Sequence, residues 1–257
     1  MKKLLSLALL AATLFSCQKQ EAPVTDTAIS DDVLAAIEKA GFSKEGVIRE
    51  DGGYIVEGDI FIDDAHLRTQ PQWGTLTIAQ TEHYRTTNLV NGPRNITISV
   101  SSRLPSAYLA HVDAVVARYN AQNLTLTFSR VAANGNINLV PANGSFLASA
   151  GFPSGGNPFN EVKINSRSLN GQPANTIVSV IAHEIGHCIG FRHTDYMDRS
   201  YSCGGSTTNE GASTVGAILI PGTPAGPDAG SWMLACIGSG QNRPFTPNDV
   251  TALTTLY

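Results

Sequence analysis

The spacing of apolar residues changes character several times along the chain. Leu4 to Phe15 is an almost unbroken apolar run behind Lys2 and Lys3. Asp31 to Ala40 carries Val33, Leu34 and Ile37 at helical spacing, with acids at its start and Gly41 after it, so a short helix is predicted. Tyr54 to Ile62 alternates loosely and is rich in β-formers, which predicts a strand. His66 to Arg85 has no clear period and reads as a boundary. From Asn95 the pattern becomes regular. NITISVS alternates Ile96, Ile98 and Val100 as a strand, and Pro105 to Gln122 places Leu109, Val112, Val116 and Tyr119 on one helical stripe. Strands are predicted over 124–131, 137–140 and 161–165, with a Gly/Pro/Ser-rich loop from Phe146 to Asn160. A second long helix is predicted over Pro173 to Gly190. Gly, Ser, Pro and Thr then dominate until a last helix begins, where Thr246, Pro247 and Asp249 form an N-terminal capping pattern.

The first segment is an address rather than structure. Residues 1–16 are too short and wrongly flanked for a stable membrane span and read as a secretory signal. Leu14-Phe15-Ser16-Cys17 resembles the lipobox of bacterial lipoproteins, which implies acylation of Cys17. Residues 18–30 are polar and would serve as a tether. The expected location is the bacterial cell envelope, with the lipid as the only membrane contact or, failing lipidation, the secreted fraction. Export favours disulfides. Beyond Cys17 the chain holds Cys188, Cys203 and Cys236, and any of three pairings is open.

Composition narrows the function classes. The 257 residues are 42% hydrophobic, enough to bury a core, and the formal net charge is −4 with no basic run. Phosphate neutralisation needs clustered Lys and Arg, so a nucleic-acid partner is not expected. No later apolar run approaches the roughly 20 residues of a membrane-spanning helix.

The chemistry is concentrated in HEIGHCIGFRH, residues 183–193. His183 and His187 are four apart on a predicted helix, so they project about 40° apart on one face and can share a tetrahedral metal ion. Glu184 sits beside them and can reach a metal-held water without ligating, where a general base belongs. Gly190 permits a sharp turn that returns His193 as third ligand. Three protein ligands leave one position open for water, the mark of a catalytic zinc site. Zinc lowers the pKa of such a water towards about 7 and polarises the scissile carbonyl. A set of buried histidines with no metal would be costly to desolvate.

The pattern resembles the metzincin clan of zinc peptidases, in which His-Glu-x-x-His-x-x-Gly-x-x-His is followed by a Met-turn; Ser231-Trp232-Met233 is the candidate turn. It is most similar to the bacterial dual-action HEIGH metallopeptidases, named for the five letters at 183–187, over about residues 85–257. The resemblance implies an α/β (α+β) zincin. Its N-terminal subdomain (85–190) would hold a twisted, mostly parallel sheet and two long helices, and its C-terminal subdomain (191–257) would be irregular, with the cleft between them. Phe146 to Phe159 would contain an edge strand to which an extended polypeptide substrate adds. Met233 would pack beneath the imidazoles. Thr194 and Asp195 follow the third histidine, and the Met-turn lacks the tyrosine of some relatives, so Tyr196 and Tyr201 are only candidates for oxyanion support.

Val56-Glu57-Gly58-Asp59 resembles the pro-segment motif of astacin-like metzincins, whose aspartate takes the water position on the zinc. Val56 stands where that motif has an aromatic. Asp59 is thus a possible latency ligand, and residues 17–84 a tether with a possible pro-segment. His111 reads as structural, and His66 and His83 are not expected to ligate. Asn209, Glu210 and Asp228 offer calcium-binding side chains at a spacing that matches no recognised loop. The expected function is a monomeric, lipid-anchored, zinc-dependent endopeptidase. The rivals are a surface binding module with a structural or vestigial zinc, and a zinc hydrolase of a non-protein amide.

Overall fold

The computed structural model describes residues 29–68, 83–212, 215–224 and 226–257. The predicted signal at 1–16 and Cys17 lie outside the described residues, as does most of the boundary between 66 and 85. The order of elements begins with helix α1 (Asp31–Lys39), strands β1 (Ile48–Glu50), β2 (Gly53–Val56) and β3 (Ile60–Asp63), and helix α2 (Asp64–Arg68). Strands β4 (Tyr84–Arg85) and β5 (Arg94–Val100), helix α3 (Ala107–Asn120), and strands β6 (Leu126–Arg130), β7 (Ile137–Pro141), β8 (Ala148–Ala150) and β9 (Glu161–Ile164) follow. The chain ends with helices α4 (Ser166–Leu169), α5 (Ala174–Ile189) and α6 (Ser200–Cys203), strand β10 (Ile218–Leu219) and helix α7 (Pro247–Leu256).

Eight strands form one sheet in the order β1-β2-β3-β8-β9-β7-β5-β6. β6, β5, β7 and β9 are mutually parallel, while β8 runs antiparallel to β9. The fold is therefore α/β with a mostly parallel sheet. Alternation puts Ile96 and Ile98 of β5 and Leu126 and Phe128 of β6 into the core, where α3 and α5 cover them. α5 is buried along its whole length from Thr176 to Ile189, which its continuous apolar sequence requires. The capping box at α7 is present: Thr246 Oγ1 accepts from the Asp249 N–H, and Asp249 accepts from the Thr246 N–H.

Two expectations need correction. The buried face of α3 is Tyr108, Val112, Val115 and Tyr119, while Leu109 faces solvent. Tyr108 supplies the large apolar body on the core side, so the stripe is rotated by one residue from the one drawn through Leu109 and Val116. Residues 54–62 are also not one strand. The chain turns at Glu57-Gly58-Asp59, with positive φ at Glu57 and Gly58, and β2 and β3 pair antiparallel from Val56↔Ile60. This hairpin extends the main sheet: β3 pairs with β8 through Ile60↔Ala150, and the Ala150 N–H donates to the Asp59 carbonyl at 3.0 Å. A smaller core of Ile37, Phe42, Tyr54, Val56, Ile60 and Ile62 joins α1 to the hairpin.

Cys203 and Cys236 form a disulfide that ties α6 to the segment after the candidate Met-turn, and Cys188 is a buried thiol on α5. Among the described residues no helix is long and apolar enough to cross a membrane.

Candidate metal centre

His183 and His187 lie on the last turns of α5. The helix ends at Gly190, whose φ of 111° would strain any L side chain; a Cβ there would also meet Leu89 Cδ2 at 2.8 Å. The reversal aims the Phe191 carbonyl back at His187 and carries His193 to the same point as the other two rings.

Each ring is held from behind. Nδ1 of His183 lies 2.8 Å from the Trp232 carbonyl, and Nδ1 of His187 lies 2.8 Å from the Phe191 carbonyl. Nδ1 of His193 lies 2.8 Å from Glu210 Oε1. A carbonyl oxygen can only accept, so Nδ1 of His183 and His187 must carry the proton and donate. Their Nε2 lone pairs therefore point inward. Nε2 of His187 and His193 are 3.2 Å apart, and Asp59 Oδ2 is 3.2 Å from Nε2 of both His183 and His193. All four ligand atoms lie within 4.8 Å of one another, and this is the only such group of three or more among the described residues.

Three imidazoles and a carboxylate are a tetrahedral zinc donor set, and the Nδ1 partners are the outer hydrogen bonds that such ligands require. The residues fit the metal. Burial, then the neighbouring imidazoles, holds His187 well below the ordinary histidine range, which keeps it in the ligating neutral form. Burial opposes a proton on His193, but Asp59 and Glu210 on either side outweigh it and raise that pKa; a divalent cation is the alternative partner for the same charges.

Glu184 is buried, lines the same cavity as His183, and leaves Oε2 without a partner among the described residues. Burial, then the charge of Asp59, pushes its carboxyl well above the ordinary glutamate range. Met233 is fully buried, its backbone carbonyl accepts from the Thr194 N–H at 2.9 Å, and its Sδ occupies the space a Cβ on Gly186 would need, 2.5 Å away.

Other expected residues fall elsewhere. Tyr196 stacks edge-on against Tyr84, Tyr201 donates to the Pro227 carbonyl at the surface, and neither lines the cavity. His83 is a buried partner of Asp249 at 2.6 Å, and His111 packs edge-on against Tyr108. The calcium candidates do not assemble: Asp228 accepts from Thr246 and Asn248, Asn209 from the Gly211 N–H, and Glu210 faces His193.

Sequence reasoning missed a buried charge network behind the third ligand. Arg192 Nη2 lies 3.2 Å from Glu57 Oε2 and 3.6 Å from Glu210 Oε2, with all three side chains excluded from solvent. Burial, then the Glu210 charge, raises the Glu57 carboxyl well above its usual value, against the pull of Arg192. No periodicity or motif links residues 57, 192 and 210, so only the fold could reveal this contact.

A family model described as the dual-action HEIGH metallo-peptidase matches residues 55–257. The chain belongs to this family. As a HEIGH metallopeptidase with this donor set it is a zinc enzyme whose substrates are polypeptides. Two solved structures of myroilysin are similar to it. The first has 15% identity over 68% of this chain and 98% of the other, with a TM-score of 0.43. The second has 13% identity over 66% and 86%, with a TM-score of 0.40. No curated protein matches the sequence.

The carboxylate behind His193 sets that ring's orientation and basicity. Glu210→Gln should therefore weaken zinc binding about 10–100-fold, since outer-shell partners typically contribute that much. Competition with a chromophoric chelator measures it, and unchanged affinity would remove Glu210 from the site.

Proposed function

We propose that the protein is an endopeptidase of the cell envelope, acting as a monomer, in which His183, His187 and His193 hold the zinc and Glu184 is the general base. The observation that carries this reading is the convergence of three Nε2 atoms beside a buried Glu184 whose Oε2 has no partner among the described residues. Bound zinc would acidify a water and polarise the scissile carbonyl. The chain's own groups do the rest. Glu184 accepts the water's proton and delivers it to the leaving amine. The Trp232, Phe191 and Glu210 acceptors keep the rings from turning.

The hairpin tip gives the second part of the proposal. Asp59 Oδ2 lies beside Nε2 of His183 and His193, where it would be a fourth ligand to the zinc, and β3 covers the β8 edge to which an extended substrate would add. One segment thus blocks both the water position and the strand edge, which supports Asp59 as the latency ligand and residues up to 84 as a pro-segment. Glu57, paired with Arg192, anchors that segment. Lipidation at Cys17 and export rest on the sequence of residues 1–17.

Digestion of an unfolded protein by the full chain tests the reading. Glu184→Ala should lower the rate by about 10²–10⁴-fold, the usual contribution of a general base, and a chelator should abolish it. Cleavage within 66–85 should raise activity, and Asp59→Ala should raise it without cleavage. Digestion that survives both Glu184→Ala and the chelator removes the zinc mechanism; an Asp59→Ala chain no more active than the uncleaved parent removes the latency role.

In the metal-free chain, burial, then the charge of Asp59, raises the Glu184 carboxyl above the ordinary glutamate range. Carboxyl-carbon NMR of the chelator-treated chain checks this, and a Glu184 that titrates like an exposed glutamate would contradict it.

A further inference from the structure

A cavity of about 270 Å³ runs from the metal cluster along α5 towards Ser179. Its walls are largely apolar, from Leu147, Val180, Trp232, Leu234 and Ile237. Two arginines, Arg199 and Arg243, also line it. Arg199 has a carboxylate neighbour, with Nε 3.1 Å from Glu210 Oε1. Arg243 forms no ion pair: among the described residues its guanidinium donates to the Leu234 carbonyl, at 3.5 Å, and Asp195 and Asp249 act on it only through their charge. The acids nearest to it are committed elsewhere. Asp195 accepts from the Ala235 N–H and Ser202, and Asp249 from the Trp232 and Thr246 N–H groups. The backbone of Arg243 is fixed, with its N–H on Ser179 Oγ at 2.9 Å and its carbonyl on Arg118 Nη1 at 3.0 Å. A half-buried cation with uncommitted donors in the wall of a cavity calls for an anion.

The cavity's position says which part of a substrate enters it. It adjoins Glu184 and His183, and neither His187 nor His193 lines it. Glu184 delivers its proton to the leaving amine, so the residue that bears this amine lies on the Glu184 side. Its side chain has this cavity beside it. The other carboxylates on the lining are Glu184 itself and Asp59 of the covering segment.

We propose that Arg243 makes the enzyme select aspartate or glutamate as the residue that supplies the leaving amine. The apolar walls take the methylene groups and the guanidinium takes the carboxylate. This inference rests on the peptidase reading above.

The test uses the full chain carrying Asp59→Ala and a library of peptides blocked at both ends, so that no terminal carboxylate competes. Cleavage sites are ranked by the residue at the new amino terminus. Asp and Glu should be enriched over Asn and Gln by about tenfold, the scale of one charge-assisted contact. Arg243→Gln should bring that ratio close to one, Arg243→Lys should keep part of it, and Arg243→Glu should favour Lys and Arg. The ratio within one digest is independent of how much of each variant folds. Calorimetry without turnover, with Glu184→Ala added, should find Asp-Ala bound about tenfold more tightly than Asn-Ala, and Arg243→Gln should erase the difference. Acid and amide residues cleaved or bound alike, whatever stands at 243, would overturn the proposal and leave the peptidase intact. An uncut library with Asp-Ala still preferred would instead uphold the pocket and sink the peptidase reading.

Discussion

Three imidazoles must be made to face one point, and the hydrogen bond on the far side of each ring enforces it. An unrestrained histidine rotates about two bonds and presents either nitrogen. Here a backbone carbonyl from the candidate Met-turn, a backbone carbonyl from the turn after α5 and a buried glutamate each hold one Nδ1. These acceptors come from three separate stretches of chain. Much of the irregular C-terminal part can be understood as what keeps them in place. The Thr194 N–H donates to the Met233 carbonyl, Asp249 holds the Trp232 N–H, and Asp195 holds the Ala235 N–H. The Cys203–Cys236 disulfide joins the same two regions covalently.

The hairpin engages this arrangement from the other side. Asp59 points at the inward nitrogens while Glu57, two residues earlier, enters the charge network that supports His193 through Glu210. In the proposed latent state, anchoring and inhibition are parts of one contact. Withdrawing Asp59 from the metal position also separates Glu57 from Arg192, which leaves a buried cation with one carboxylate fewer. That cost is offset only if the whole hairpin leaves, since water then reaches the vacated charges.

The local features of the site were legible in the sequence. His183, Glu184, His187 and Gly190 sit on one helix and its cap, where spacing fixes direction. His193 follows from the turn. Strands β5, β6, β7 and β9 are legible as β-forming runs and α7 by its capping residues, whereas β8 lies inside the stretch that reads as a Gly/Pro/Ser-rich loop. What failed was tertiary or degenerate. Periodicity does not decide the face of α3, because Leu109 and Tyr108 are both apolar and only packing chooses between them. The hairpin resembles one strand in sequence because Glu57-Gly58-Asp59 interrupts the alternation too briefly. Glu210 lies in a polar stretch with no period, so its place behind His193 had no sequence signal. The cysteine pairing depended on the same long-range geometry.

X-ray absorption at the zinc edge of the purified full chain tests the central claim most directly. The account predicts one zinc per chain, with three imidazole nitrogens and one oxygen at about 2.0–2.2 Å. Fewer than three imidazoles, or a sulfur ligand at about 2.3 Å from Cys188, would contradict it.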